Sequence, residues 1–435
     1  MPALLITQGR VIDPASNSSK VADVAIVDGR VAAIGKKLPR SPAHRVIDAA
    51  GLLVPPGLID PHVHLREPGG EHKETLATGS AAAVAGGFTT VCCMPNTSPA
   101  LDTPEVLGFI RDRAGSTALC RVFPVAAATR GRKGEELCEI SLLAQAGAVG
   151  FSDDGDCVAS AGMMARVFAA VARTGLAFMQ HCQEPTLTRG ASMHAGEVST
   201  RQGLTGWPRV AEEVIIERDV RLSRASGCRY HVQHISSADS VEIVRRARKE
   251  GLPVTAEASP HHLLLTHAAC DGYNTLAKVN PPLREARDVE AVVKGVAEGT
   301  LTVLATDHAP HAADEKALPF EEAPFGFVGL ETALALYAEA LVHAGAISWE
   351  RLVRLLTLEP ARLCGLDALG LGSLRVGGPA DVTIIDPDAK WTITPEALCG
   401  RSRNSPFFGR KVKGRAVLTL VGGVVRHDLM GQPLA

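Results

Sequence analysis

Apolar residues along this chain follow two rhythms. At both ends they come as short runs broken by turn residues. The run 21–27 is rich in valine and alanine and closes on Asp28-Gly29, the mark of a strand entering a hairpin. The runs 380–386 and 415–423 repeat this near the other end, the second closing on Gly422-Gly423. Neither end can hold a full core alone, so residues 1–55 and 366–435 are expected to form one small β-sandwich built from both termini. Between them, over 56–365, apolar runs alternate with helical segments. The candidate strands are 58–65, 89–94, 121–126, 148–152, 177–181, 229–234, 253–258 and 302–306. Eight strands alternating with helices predict an α/β fold, a (β/α)8 TIM barrel. Such barrels carry their chemistry at the C-terminal ends of the strands.

Composition narrows the class. The 435 residues are 46% hydrophobic and 21% charged, as in a soluble globular protein, and the aromatic share of 4% leaves the core to Ala, Val, Leu and Ile. A formal net charge of -2 gives no bulk electrostatic reason to expect nucleic acid or an anionic membrane. The opening residues read as strand and turn rather than a signal peptide, and no apolar run is long enough to span a bilayer. Ten cysteines without a CxxC pair suit free thiols in a reducing cytoplasm. Cys157, close to the conspicuous residues below, is read as packing. The basic stretch Arg401, Arg403, Arg410, Lys411, Lys413 and Arg415 is read as a solvated loop of the sandwich.

The chemistry-bearing residues collect at the strand ends. Strand one ends in His62-Val63-His64 with Arg66 beyond, and side chains two apart on a strand face the same way. Asn96 follows strand two, Asp153-Asp154 end strand four, His181 strand five and His234 strand six; Asp307 and His311 follow strand eight. Four imidazoles and two carboxylates suit two zinc ions with a position left for water. Paired metals acidify that water and polarise the carbonyl it attacks, and Asp307 can touch both metal and water as proton shuttle.

Four motifs go beyond such spacing: 60–69 (DPHVHLREPG), 87–91 leading to Met94-Pro95-Asn96-Thr97, 278–284 (KVNPPLR) and 306–311 (TDHAPH). With these the chain resembles the dihydroorotases of the amidohydrolase superfamily, the bacterial type I class in particular, nearly end to end. The resemblance implies that His62, His64 and Asp307 bind the more buried zinc and His181 and His234 the second. Asp154 and a water or hydroxide would bridge them. Many relatives use a carboxylated lysine as bridge, whereas this chain has Asp153-Asp154 there. Chemistry alone does not separate the two aspartates; family spacing favours Asp154. Arg66, Asn96 and His311, beside the ligand His64, would hold the substrate carboxylate. Asn280 and the Phe325-Gly326 backbone would contact the ring amides.

The implied activity is reversible cyclisation of N-carbamoyl-L-aspartate to L-dihydroorotate, the third step of pyrimidine (UMP) synthesis, by a zinc-bound hydroxide mechanism. Allantoinases and hydantoinases share the fold and HxH but usually keep the bridging lysine. A non-catalytic subunit that scaffolds aspartate transcarbamoylase would have lost ligands, and all six are present. The small-molecule substrate is the expected partner; a homodimer and a transcarbamoylase complex stay open. The segment from 311 to about 330, rich in polar residues with Pro319, Pro324, Gly326 and Gly329, is expected to form a mobile cover rather than a regular element.

Overall fold

The computed structural model describes residues 3–40 and 44–431. Strands from the two chain ends share one eight-stranded sheet. Its order is Val424–Asp428, Lys411–Val421, Val382–Thr392, Leu53–Val54, Ala3–Asp13, Ser18–Val27 and Arg30–Gly35, with His44–Asp48 also paired to Ala3–Asp13. The sheet has its own core, in which Leu4, Ile6, Val24 and Ile26 pack with Val382, Ile384, Leu418 and Leu420. Alternating burial along Lys411–Val421 reflects the period-two pattern of the sequence.

The middle of the chain alternates helices with parallel strands. Leu58–Val63 pairs with Phe88–Cys93, and that strand with Arg121–Pro124. Ala177–Gln180, Arg229–Val232, Val254–Ala258 and Val303–Leu304 form a second parallel set. The first two strands are buried along their whole length, as apolar runs covered on both faces must be. Most of the expected strands are shorter in the structure, two of them markedly. The 148–152 segment pairs through Phe151 alone, in parallel bridges to Ala126 and Phe178. The last strand stops at Leu304 because the Thr306 N–H donates to the Asp60 carboxylate at 3.2 Å. Val63 and His308 form a further parallel bridge.

The helices begin where the sequence supplies a cap. Thr75, Ser160 and Ser237 each accept a hydrogen bond from the backbone N–H three residues on. The helix Ala161–Ala172 then buries Met163, Met164, Val167, Phe168 and Val171, and Phe168 meets the rings of Phe178 and Tyr230 at 5.6 Å. At the entry to the first strand only glycine fits: a Cβ on Gly57 would lie 2.0 Å from the Thr89 hydroxyl. The terminal sheet is joined to this region by a two-pronged Arg121–Asp381 pair and by the Thr383 hydroxyl on the Gly87 carbonyl at 2.6 Å. Among the described residues no helix is long and apolar enough to cross a membrane.

Candidate active site

The strand Leu58–Val63 delivers His62 and, just past its end, His64, with ring centroids 5.4 Å apart. His181 and His234 follow the strands Ala177–Gln180 and Arg229–Val232, and their centroids are 4.7 Å apart. Asp154 joins the two pairs. It belongs to both groups whose donor atoms lie within 4.8 Å of one another: His62, His64 and Asp154, and Asp154, His181 and His234. Its Oδ1 is 3.4 Å from His62 Nε2, 3.6 Å from His181 Nδ1 and 3.7 Å from His234 Nε2, while Oδ2 is 3.4 Å from His64 Nε2. Asp307 Oδ1 sits 3.1 Å from His64 Nε2 and 3.6 Å from His62 Nε2.

The two adjacent aspartates have different tasks. Asp153 accepts the N–H groups of Ala128 and Thr129 at 2.9 and 3.0 Å and the Thr129 hydroxyl, so its carboxylate is spent on the chain that follows the third strand. Asp154 faces the histidines.

His62 Nε2 and Asp154 Oδ1, which face one another, are both buried without a hydrogen-bond partner. Buried polar atoms are normally satisfied. Converging nitrogen and oxygen donors left unsatisfied fit a divalent metal of the zinc class. Burial opposes charge on Asp154, but the His62 charge and the nearby rings of His181 and His234 outweigh it and hold the carboxyl well below its usual range. Burial opposes Asp307 as well, and the close His64 ring with the His62 and His234 charges pulls it down. Three side chains of this site leave backbone in the left-handed region: Arg66 at φ +60°, His234 at +30° and Asp307 at +52°. Non-glycine residues rarely adopt it, and its presence here at three strand ends marks turns held by their surroundings.

A cavity of about 320 Å³ opens over this cluster. His64, Arg66, Asn96, Asp154, His181, His234, Asn280, Asp307 and His311 line it, with Phe325 and Gly326; His62 lies beneath. Arg66 donates from Nε to the Pro310 carbonyl at 3.2 Å. Burial lowers its pKa to about 10, so it stays charged at neutral pH. Burial and the charge of Arg66 push His311 down to about 2, so His311 is neutral, and its Nε2 donates to the Phe325 carbonyl at 2.7 Å. Asn96 Oδ1 accepts from His64 Nδ1 at 2.8 Å. Asn280 donates to Gln183 Oε1 at 3.0 Å, while its own Oδ1 is buried and unpaired. The Gly326 N–H is engaged by the Lys278 carbonyl at 2.9 Å, so of this dipeptide the Phe325 carbonyl keeps a lone pair for a ligand.

Known proteins can be set beside this geometry. The family model "Dihydro-orotase-like" matches residues 51–240. A dihydroorotase of Pelotomaculum thermopropionicum is 48% identical over 426 residues, covering 98% of this chain and 99% of its own. One of Solibacter usitatus is 47% identical and covers 97% of each. The chain belongs to the dihydroorotase family. Among solved structures, an L-hydantoinase (dihydropyrimidinase) of Arthrobacter aurescens superposes with a TM-score of 0.89 at 28% identity, covering 100% of this chain and 98% of its own. The model match takes in five of the six clustered His and Asp residues of this dihydroorotase-family chain; Asp307 lies beyond it.

Several residues that serve the site escaped the sequence reading. Glu257 bonds His62 Nδ1 at 2.6 Å, and Gln183 bonds both His181 Nε2 and Asn280 at 3.0 Å. A carboxylate inside the apolar run 253–258 was the available signal for Glu257; Gln183 had none beyond standing two residues from His181. Asn404, in the basic stretch read as a solvated loop, is buried instead. It accepts from the His311 N–H at 3.2 Å and donates to the Gly326 carbonyl at 3.1 Å. Cys157 takes a packing position, where burial pushes its thiol up to about 12; all ten cysteines are free.

Proposed function

We propose that this chain is a zinc-dependent dihydroorotase that interconverts N-carbamoyl-L-aspartate and L-dihydroorotate. The observation that carries the reading is one cavity with a His/Asp donor cluster at its floor and a buried, charged Arg66 on its wall. A cyclic amide bearing a carboxylate needs both.

In this reading residues 56–365 form a (β/α)8 barrel, with 1–55 and 366–435 as the β-sandwich. Support comes from the parallel pairing, which runs strand to strand through Phe151 and meets the first strand again through Val63 and His308. His62, His64 and Asp307 would hold one zinc, His181 and His234 a second, and Asp154 both. The shared membership of Asp154 in the two donor groups supports this. Bound zinc supplies acidified water and a polarised carbonyl.

The chain's own groups do the rest. Arg66 pairs with the substrate carboxylate through its planar fork, beside His64, Asn96 and the neutral imidazole of His311. Asn280 Oδ1, buried and unpaired, accepts a ring N–H, as does the free lone pair on the Phe325 carbonyl. In hydrolysis Asp307 takes the proton of the attacking water and hands it to the ring nitrogen as the amide bond breaks; in synthesis it works in reverse. Ring closure consumes a proton along with a carboxylate, so lower pH moves the equilibrium toward dihydroorotate.

Turnover of dihydroorotate, hydantoin and allantoin by the purified, zinc-loaded chain tests the reading. Dihydroorotate should be preferred by about 100-fold or more, because its rivals leave Arg66 without a partner. Preference for hydantoin would move the chain to the chemistry named for its structural neighbour.

A further inference from the structure

Glu257 takes no part in the reaction just described, yet it is a fully buried carboxylate among apolar neighbours on the strand Val254–Ala258. A charge in such a place needs partners. Its partners all belong to the donor cluster or support it. Oε1 lies 2.6 Å from His62 Nδ1 and accepts the His234 backbone N–H at 3.2 Å. Oε2 lies 3.0 Å from His231 Nε2, and His231 Nδ1 is 2.8 Å from the Thr255 hydroxyl on the same strand. One oxygen therefore touches a member of each donor group, and the other is pinned so that the carboxylate cannot swing.

Resting on the metal reading above, we infer that Glu257 is a positioning residue that presents His62 and His234 to the metals. A carboxylate beside Nδ1 requires that nitrogen to carry the hydrogen. Nε2 of His62, which faces Asp154 and Asp307 without a hydrogen-bond partner, is then the nitrogen left to bind a metal. The Gln233 amide nitrogen, 3.2 Å from the same Nδ1, has Met94 Sδ as its acceptor at 3.4 Å and leaves the Nδ1 hydrogen to Glu257. At His234 the bond is to the main chain. It secures the residue whose φ of +30° turns the chain at the strand end and directs the ring inward.

Glu257→Gln keeps the size of the side chain and removes its charge. The readout is zinc affinity of the metal-stripped chain by chelator competition, with the melting temperature of the metal-free protein alongside. A loss of about 10- to 100-fold in affinity is expected, the usual effect of removing such a partner. Parent-like affinity in the variant overturns the inference, including the case where only the metal-free melting temperature falls, as a purely structural role would give. A parent chain that binds no zinc overturns the metal reading instead. A second measurement needs no variant: nitrogen-15 spectra of the zinc-loaded parent should show a hydrogen on His62 Nδ1 and the metal on Nε2. Zinc bound through His62 Nδ1 would overturn the role of Glu257.

Discussion

Asp153 and Asp154 are neighbours in the chain with unlike surroundings, and substitution should separate them. Asp154→Asn is expected to lower bound zinc from two equivalents toward one, because the histidines His181 and His234 lose their carboxylate while His62 and His64 keep Asp307. Asp153→Asn should retain both equivalents and lose about 1–3 kcal/mol of stability, since an amide cannot accept from all the donors that Asp153 satisfies. Metal analysis with denaturant titration checks both; two full equivalents in Asp154→Asn would end its assignment as the bridge. At Arg66, lysine keeps the charge and loses the planar fork. Arg66→Lys should cost about 1.5–3 kcal/mol in kcat/KM for dihydroorotate, the range for hydrogen bonds to charged groups. Kinetics equal to the parent would remove Arg66 from the site.

The segment from 311 to 330 shows what local composition could and could not say. Its Pro and Gly content argued against a regular element, and a short helix, Ala313–Lys316, forms all the same. Beyond it Phe320, Ala323, Phe327 and Val328 are buried. Two lysines pin the segment over the cavity. Lys316 Nζ donates to the carbonyls of Pro324 and Gly326 at 2.8 and 3.1 Å, and Lys278 Nζ to those of Phe320 and Glu321 at 2.6 and 3.0 Å. Lys316→Met should therefore loosen the cover: leaving buried carbonyls without a donor costs about 1–3 kcal/mol locally. Amide exchange across 317–327 should rise about 10- to 100-fold in the free enzyme, and dihydroorotate should reverse part of it. Unchanged exchange in the variant would show that the lysines do not hold the segment.

Across the whole molecule, the terminal sheet reaches the site through the loop between Val382–Thr392 and Lys411–Val421. Asn404 in that loop supports both the His311 N–H and the Gly326 carbonyl. Asn404→Ala is expected to raise KM for dihydroorotate about 3- to 10-fold with zinc content unchanged, the effect of one or two neutral hydrogen bonds. Loss of zinc in that variant would mean that the loop supports the metal cluster rather than the cover. The cluster itself should stabilise the fold when occupied. Free zinc at about 100 times its Kd adds about 2.7 kcal/mol by mass action, so chelator-stripped protein should melt a few degrees lower. Identical melting curves with and without chelator would show that the six groups bind no metal.

The sequence by itself determined the alternation of strands and helices, the His62/His64 pair on one strand face, and the placing of Asp154, His181, His234 and Asp307 at strand ends. These follow from local periodicity: side-chain direction along a strand is set by the strand, whatever packs against it. The sequence also marked Arg66, Asn96 and His311; the motif resemblance gave them their roles and added Asn280, and the structure brings all four to one cavity. Residue chemistry left Asp153 and Asp154 equal and family spacing favoured Asp154; only the tertiary structure gave the reason, because Ala128 and Thr129 capture Asp153. It alone brought Glu257 to His62, Asn404 to His311 and two lysines to the cover. Those contacts join residues far apart in the chain, and a hydrogen-bond partner supplied by another element leaves no local pattern in the sequence to announce it.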